Sequence, residues 1–152
     1  MEQLFNQLSE ILLKSLDADE HMKVSIDGEN SQFVRFSQSK VRQAGLVDDT
    51  SLSISLIKDG RTCSGSFTLT GNSETDEKTS LTELERLREE VVSLPKDPFV
   101  VLPEDTGSSR EDHNGSLLSQ ENAASALSPA MQGVDLAGIW ASGRIFTGNA
   151  NS

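Results

Sequence analysis

The strongest strand signals of this 152-residue chain lie in Ser31–Asn72, SQFVRFSQSKVRQAGLVDDTSLSISLIKDGRTCSGSFTLTGN. In Ser51–Ile57, leucine and isoleucine alternate with serine, which places the apolar set on one face of a sheet and the serines on the other. Asp59-Gly60 comes next and predicts a two-residue hairpin turn, because such turns need positive φ at both central positions. The return strand is predicted at Thr62–Leu69, where Gly65 indicates a bulge or a close backbone approach.

Further strands are predicted upstream of this hairpin. Met22–Ile26 alternates apolar and polar residues and is expected to end at Asp27-Gly28. Two shorter strands are expected at Phe33–Ser37 and Val41–Val47. The whole is predicted to be an antiparallel meander of about five strands, a usual size for a sheet.

Two helices flank the predicted meander. The first carries an apolar stripe at helical spacing, formed by Leu4, Leu8, Ile11, Leu12 and Leu16. The second is predicted at Ser80–Leu94, because Ser80 and Glu83 have the spacing of a capping box and Pro95 would stop the helix. The first helix is expected to pack on the sheet.

The remaining chain is predicted to be irregular. Phe99–Leu102 is expected to be a short extended segment, either an edge strand or a loop that plugs the core, and residues 104–119 a mobile loop rich in polar residues and glycine. A short helix is predicted at Gln120–Leu127, with short strands after it, within Ile139–Phe146. The predicted fold class is therefore α+β.

Composition excludes several classes of function. The net charge is −11 and the pI is about 4.5, which opposes binding to the phosphate backbone of nucleic acids. Cys63 is the only cysteine, so no internal disulfide is expected. Neither a signal peptide nor an apolar run long enough to span a membrane is recognisable. A cytoplasmic protein without nucleic-acid or membrane partners is predicted.

Two segments resemble a known family. VRFSQSKVRQAG (34–45), with an alternating strand and IKDGR (57–61) after it, looks like the N-terminal half of the TldD/PmbA family. LAGIWASGRIFTGNANS (136–152) is similar to the family's LAGIYxSGxxxxGxANS segment. Members are known as zinc metallopeptidases and were once described as modulators of DNA gyrase. The resemblance implies that residues 1–152 form a TldD/PmbA-like N-terminal domain.

The resemblance also implies what should lie outside this chain. Active members carry an HExxxH zinc motif downstream of this region, whereas this chain has only His21 and His113, far apart in sequence. The catalytic C-terminal domain, with its zinc, is therefore expected to be absent from this chain, which would be a fragment or a truncated product. The family pattern further implies a dimer that encloses a chamber, formed with a second copy or a relative, and an unfolded peptide as substrate.

No catalytic, cofactor-binding or metal-ligating residue is predicted in the chain itself. Glu20-His21 resembles the start of a metal motif but has no second ligand one turn away, and is interpreted as a helix-to-strand junction. Asp48-Asp49 is interpreted as a turn, and Cys63 as a buried structural thiol. His113 is expected to be exposed and without a role.

Three further features lie near the C-terminus. Ser142-Gly-Arg and Gly148-Asn-Ala-Asn look like loops, and a phosphate cradle there is only weakly indicated, because the Walker lysine is missing. Trp140, the only tryptophan, is expected to pack in a core or an interface.

The sequence leaves two functions from different classes. The chain is predicted to be the inactive N-terminal part of a TldD/PmbA-type metallopeptidase that acts on unfolded peptides. The alternative is a non-catalytic partner subunit, or a remnant of that family that only binds. An unrelated α+β domain with a chance similarity is the third interpretation.

Overall fold

A computed structural model describes residues 1–102 and 107–152. The regular elements in chain order are α1 (Glu2–Lys14), β1 (Glu20–Ser37), β2 (Lys40–Lys58), β3 (Arg61–Thr68), α2 (Ser73–Val91), α3 (Gln120–Leu127), a short 3-10 helix (Ser128–Met131) and β4 (Gly138–Asn151). The strands form one sheet of order β3-β2-β1-β4. The predicted α+β fold with a β1–β2–β3 meander is confirmed, with four strands in the described residues where about five were expected.

The meander itself has three strands where about five were expected, because two predicted interruptions are not interruptions, and β4 is the fourth strand of the sheet. Asp27-Gly28 lies inside β1, and Asp48-Asp49 lies inside β2, so the predicted turn at the aspartates is wrong. Both aspartates of the pair are exposed and keep the strand's backbone conformation. Gly28 is needed for space, since a Cβ there would approach the Met1 methyl to 3.0 Å and the Thr50 hydroxyl to 3.3 Å. Exposed aspartates and a glycine within a long strand resemble a turn in the sequence, although the backbone continues straight through them.

The predicted turn at Asp59-Gly60 is confirmed. Both residues have positive φ, 50° and 71°, and β2 pairs with β3 from Lys58↔Arg61 to Ser51↔Thr68. The ladder passes through Gly65 opposite Ile54 without a bulge. A Cβ on Gly65 would overlap the Glu83 carboxylate of α2. The glycine therefore allows the Glu83 side chain to lie close to the backbone of β3.

The turn between β1 and β2 lacks the residues that its geometry favours. Gln38 and Ser39 have φ values of 52° and 54°, the left-handed conformation of a type I′ turn, which Asn and Gly adopt most readily. The Ser39 backbone N–H donates to the Leu136 carbonyl at 2.9 Å, and its hydroxyl contacts the Val134 carbonyl. Replacing Ser39 by glycine would remove the hydroxyl contact. The Gln38 side chain, in contrast, accepts a surface hydrogen bond from Arg42, so Gln38 is the better position for a substitution.

Gln38→Asn is expected to stabilise the chain by about 0.5–1 kcal/mol, because Asn adopts the left-handed conformation at lower cost. Thermal and urea unfolding would measure the gain. The same replacement at Gln3, an exposed position in α1, is the control and should be neutral or slightly destabilising. An unchanged or lower stability of Gln38→Asn would contradict the conformational explanation.

Helix α2 begins earlier than predicted. Its N-cap is Asn72, whose side-chain oxygen accepts from the Thr75 N–H at 3.0 Å, so the predicted capping box at Ser80 is wrong. Ser80 is buried inside the helix and donates to the Asp76 carbonyl at 2.7 Å. The helix ends at Val91, three residues before the predicted end, although Pro95 does lie beyond it. Asn72 is a favourable N-cap residue eight positions before Ser80. The first turns that follow it have little apolar periodicity, so the sequence pattern did not indicate a helix there.

The chain separates into two compact units. Unit 1 comprises residues 1–28, 49–107 and 146–152, and its core is formed by α1, α2 and the inward face of the strands. The largest fully buried side chains of this core are Leu8, Leu12, Met22, Ile26, Leu52, Ile54, Leu56, Leu84 and Leu87. The predicted packing of the N-terminal helix on the sheet is confirmed in this core.

Unit 2 comprises residues 29–48 and 108–145 and has a smaller core of its own. Its buried members are Val34, Phe36, Ala123 and Met131, with Leu118, Leu127 and Trp140 packed against them. The short helix predicted at Gln120–Leu127 is confirmed as α3. Trp140 is half-buried in this core, in agreement with its predicted packing role.

Two irregular segments were predicted between α2 and α3. Residues 99–102 form no strand, and Phe99 and Val101 are 85% and 82% exposed, so the edge strand or core plug expected there is not formed. Of the loop predicted at 104–119, residues 104–106 lie outside the described residues, and residues 107–119 contain no helix or strand. No helix among the described parts of the chain is long and apolar enough to cross a membrane.

Candidate functional site

The two histidines are not brought together. His21 is half-buried at the start of β1, as the junction interpretation of Glu20-His21 predicts. His113 is exposed, with its Nε2 3.3 Å from the Glu111 carboxylate. In residues 1–102 and 107–152, no three His, Cys, Asp or Glu side chains are grouped so that they could hold a metal ion. The described residues therefore do not fit the zinc site that the family resemblance implies for an active member.

Cys63 is a buried thiol rather than an accessible nucleophile. It is 6% exposed, and its Sγ donates to the Leu87 carbonyl at 3.3 Å. Burial raises the pKa of the thiol, and the nearby Glu90 carboxylate acts in the same direction. A neutral, enclosed thiol does not attack a substrate at neutral pH.

The two C-terminal segments that looked like loops are parts of a strand. Ser142-Gly-Arg and Gly148-Asn-Ala-Asn both lie in β4, so the loop interpretation is wrong. Gly148 allows a close approach, since a Cβ there would lie 2.9 Å from the Phe5 ring and 3.0 Å from the Ile26 side chain. The glycine makes room for the core of unit 1 and not for a phosphate group.

A buried carboxylate, Glu20, is the most unusual polar group among the described residues. Its side chain is fully excluded from solvent, and the Arg88 guanidinium binds both of its oxygens at distances of 2.7–3.1 Å. The Lys58 ammonium lies 3.2 Å from Oε1, and the Asp17 N–H donates to Oε2 at 3.0 Å. Arg88 also donates to the Ser15 carbonyl at 2.6 Å. This carboxylate thus connects the end of α1, the start of β1, the end of β2 and α2.

Electrostatics keeps this carboxylate charged. Burial by itself would raise the pKa of Glu20, but the hydrogen bonds from Arg88, from the Asp17 N–H and from Lys58 outweigh burial and lower the pKa to about 2. The pKa of the Arg88 guanidinium is raised, chiefly by its hydrogen bond to Glu20. All partners are satisfied by protein groups, so the cluster stabilises the fold and offers no free acid or base for catalysis.

Sequence reasoning missed this cluster. In the sequence, Glu20 attracts attention only through its neighbour His21, and Arg88 is one of several charged residues of the predicted second helix. The residues are far apart in sequence, and single charged residues at element ends carry no periodic signal. The one usable hint was the alternation of β1, which places Glu20 on the same inward face as Met22 and Val24.

The outward face of the unit 1 strands carries hydroxyl groups, as the serine alternation predicts. Ser53 and Ser66 are joined at 3.1 Å between their hydroxyl oxygens, and Ser55 and Ser64 at 3.0 Å. These pairs lie directly opposite each other across β2 and β3. Across β2 and β3 this face is polar and uncharged, and the paired serines hold no group with chemical reactivity of its own.

Comparisons with known proteins give fold likeness only. No family model and no curated protein matches the chain. Among solved structures, a candidate modulator of DNA gyrase from Bacteroides thetaiotaomicron is similar with a TM-score of 0.58 and 17% identity, over 99% of this chain and 36% of that chain. TldE from Thermococcus kodakarensis is similar with a TM-score of 0.55 and 16% identity, over 99% of this chain and 37% of that chain.

At these identities the likeness establishes the fold. The fold expected from the resemblance to the TldD/PmbA family is therefore confirmed over almost the whole chain. The chain spans slightly more than a third of the length of either solved protein.

Proposed function

We propose that this chain is a non-catalytic domain of a TldD/PmbA-type protein, from the part of the protein that precedes the metal motif. The observation that carries the proposal is the fold likeness to TldE over 99% of the chain. The two sequence segments at 34–61 and 136–152 support it independently, since their likeness to the family lies in the residues alone. On this proposal, the complete protein acts on unfolded peptides, in the cytoplasm.

The described residues define what this domain would contribute. They offer a sheet covered on one face by two helices, and a carboxylate cluster that is fully used inside the fold. They offer no fitting set of zinc ligands. We therefore place zinc and the hydrolytic step in residues outside this chain, and assign to this domain the support and enclosure of that site.

An alternative within the same family is a non-catalytic partner subunit, or a remnant that only binds. It is supported by the same lack of a fitting ligand group in the described ranges. In both cases the partners would be a C-terminal domain of the same protein, a second copy or a relative. The two functions differ in the sequence that the native protein carries beyond Ser152, and the intact mass of that protein, with its coding sequence, separates them.

The 152-residue chain is expected to bind no stoichiometric zinc and to hydrolyse no unfolded casein. The reason is that His21 and His113 lie apart, and that neither has a grouped set of partners among the described residues. Metal analysis after dialysis against zinc, and release of labelled peptides with and without a chelator, would measure both properties. One zinc per chain together with chelator-sensitive hydrolysis would contradict the proposal.

A heavier native protein with HExxxH downstream would establish the metallopeptidase assignment. A heavier native protein without that motif would establish the partner subunit. Continuation into an unrelated domain would contradict both, and a native mass equal to that of this chain would leave only the binding function.

A further inference from the structure

The pair Asn114-Gly115 lies in a segment, residues 107–119, that holds neither a helix nor a strand. It is the only Asn-Gly pair in the sequence. Both residues are exposed, and a Cβ built on Gly115 would meet open space. In the part of the chain that the structure describes, neither the Asn114 side chain nor the Gly115 N–H has a hydrogen-bond partner. The pair is therefore unrestrained in its backbone angles.

The contacts near this pair are local. The Nε2 of His113 lies 3.3 Å from the Glu111 carboxylate, two residues away, and both side chains are exposed. The segment becomes attached further along, at Leu118, which packs against the unit 2 core and whose carbonyl accepts from the Gln32 side chain. Asn114 thus lies outside the packed part of unit 2, so that chemistry at this residue does not require the core to open.

We propose that Asn114-Gly115 is a site of spontaneous deamidation, at which water converts the asparagine mainly into isoaspartate. The Gly115 backbone nitrogen attacks the side-chain carbonyl carbon of Asn114 and forms a cyclic succinimide. The bond from that carbon to Nδ2 breaks, and the nitrogen leaves as ammonia with the proton of the Gly115 N–H. Water then opens the ring at either carbonyl. One water is consumed and one ammonia released, and no oxidant or reductant is needed.

Glycine at the second position favours the attack. The backbone nitrogen must approach the side chain of the residue before it, and this requires angles that helices and strands do not supply. A Cβ on the second residue would crowd the nitrogen and narrow the accessible angles, whereas glycine adds no such restriction. The lack of regular structure at residues 107–119 and the glycine therefore act in the same direction.

The other asparagines are held in regular elements or caps. Asn72 caps α2 and accepts from the Thr75 N–H at 3.0 Å, and Asn149 in β4 accepts from the Ser25 hydroxyl at 2.8 Å. Asn122 lies in α3. None of the remaining ones precedes a glycine, and they lie in α1, β1 and β4: Asn6, Asn30 and Asn151. Asn114 is therefore expected to react first.

Asp-Gly pairs form the same succinimide with loss of water, and the chain has two of them. Asp27-Gly28 lies inside β1. Asp59-Gly60 is fixed in the hairpin turn, and the Asp59 carboxylate pairs with Arg61 and Lys96. Both pairs are held by the fold, so the isoaspartate that accumulates in the folded chain should come from Asn114.

The product differs from the original chain in charge and in backbone length. Deamidation adds one negative charge to unit 2, and the isoaspartyl link adds one carbon to the main chain. Such a link in an exposed segment is a substrate for enzymes that methylate isoaspartyl carboxylates with S-adenosylmethionine. The proposal does not depend on the proposed function, and no part of its test involves zinc or peptide hydrolysis.

Incubation of the 152-residue chain at neutral pH and physiological temperature, followed by mass spectrometry, is the first test. The intact mass should rise by about 1 Da, the difference between an amide and an acid. The gain should lie in the tryptic peptide 111–144 and, on fragmentation, at Asn114. Transfer of labelled methyl groups by an isoaspartyl methyltransferase would then distinguish isoaspartate from aspartate. Mass gain first at another asparagine, or a product without isoaspartate, would overturn the proposal.

Three variants test the chemistry. Asn114→Gln should abolish the early mass gain, and Gly115→Ala should slow it about tenfold or more, because alanine restricts the backbone that glycine leaves mobile. Asn122→Gln, in α3, is the matched control and should react like the wild type. Thermal unfolding would show that all three variants fold. An unchanged rate in Gly115→Ala would contradict the role given to the glycine.

A synthetic peptide of residues 107–119 tests the role of the structure, because it sets the rate of the unrestrained pair. The folded chain is expected to react within about tenfold of the peptide, since local opening costs little in a segment without packed contacts. A folded chain that reacts more slowly than this would show that the fold restrains Asn114-Gly115, and would overturn the proposal.

Discussion

Glu20→Gln is expected to lower the free energy of unfolding by about 3 kcal/mol, because breaking a buried ion pair leaves its partner uncompensated. The Glu20 side chain is fully buried, and Arg88 is 20% exposed. Glutamine keeps the shape of the side chain but removes the charge, and it turns an N–H₂ group toward a guanidinium that can only donate. The midpoint of urea unfolding, with its slope, would measure the loss.

Glu10→Gln is the matched control. Glu10 forms an ion pair with Lys14 one helical turn away, but both side chains are exposed, at 63% and 73%. Exposed pairs of this type contribute about 0.3–0.5 kcal/mol. A loss at Glu20 no larger than the loss at Glu10 would show that burial does not strengthen the Glu20 cluster, and would contradict the prediction.

The same cluster is expected to make stability depend on pH. The pKa of Glu20 is about 2 in the folded chain against an ordinary value of 4.5, so the folded state binds the proton more weakly than the unfolded state. The resulting stabilisation, about 3 kcal/mol, is fully present above pH ~5 and is lost as the pH falls toward 2. Unfolding measured at several pH values should show this loss in the wild type and a smaller one in Glu20→Gln. If the free energy of unfolding changed with pH equally in the wild type and in Glu20→Gln, protonation of Glu20 would not be the cause of the loss.

The strand and turn signals of the sequence were the most informative ones. Period-two alternation at Ser51–Ile57 and Asp59-Gly60 predicted β2, β3 and their turn, because both signals are local and reflect backbone geometry. The lengths of β1 and β2 could not be predicted in the same way. Asp48-Asp49 has a strong turn propensity, but β2, which pairs with β1, continues through both residues as a strand.

The features that the sequence could not show depend on contacts between distant residues. The Glu20–Arg88 pair joins residues 68 positions apart, and no local pattern marks it. The same is true of the pairing of β4 with β1, which joins the two ends of the described chain in one sheet. The family segments predicted the fold that the neighbouring structures confirm, but short strands within Ile139–Phe146 were expected in place of the 14 residues of β4.

Asp76→Asn is expected to be the second most destabilising change, by about 2–3 kcal/mol, because hydrogen bonds to a charged group contribute about 1.5–3 kcal/mol. Asp76 is 1% exposed in the first turns of α2. Its carboxylate accepts from the Thr70 N–H and hydroxyl at 2.8 Å and from the Gly71 N–H at 2.9 Å. All three donors point at the Asp76 carboxylate. They therefore fasten the chain that leaves β3 to the start of α2.

Asparagine at this position can accept at only one of its two side-chain atoms. Its N–H₂ group would face an N–H or hydroxyl donor in a site closed to water, and a buried donor would be left unsatisfied. Glu89→Gln is the control, because Glu89 is exposed on the same helix and its change should stay within about 0.5 kcal/mol. Urea unfolding of both variants measures the difference. Equal stabilities would show that the Thr70–Gly71 turn holds its conformation without the carboxylate. A large loss confined to Asp76→Asn would show that this single buried acceptor fixes the start of α2 against the sheet.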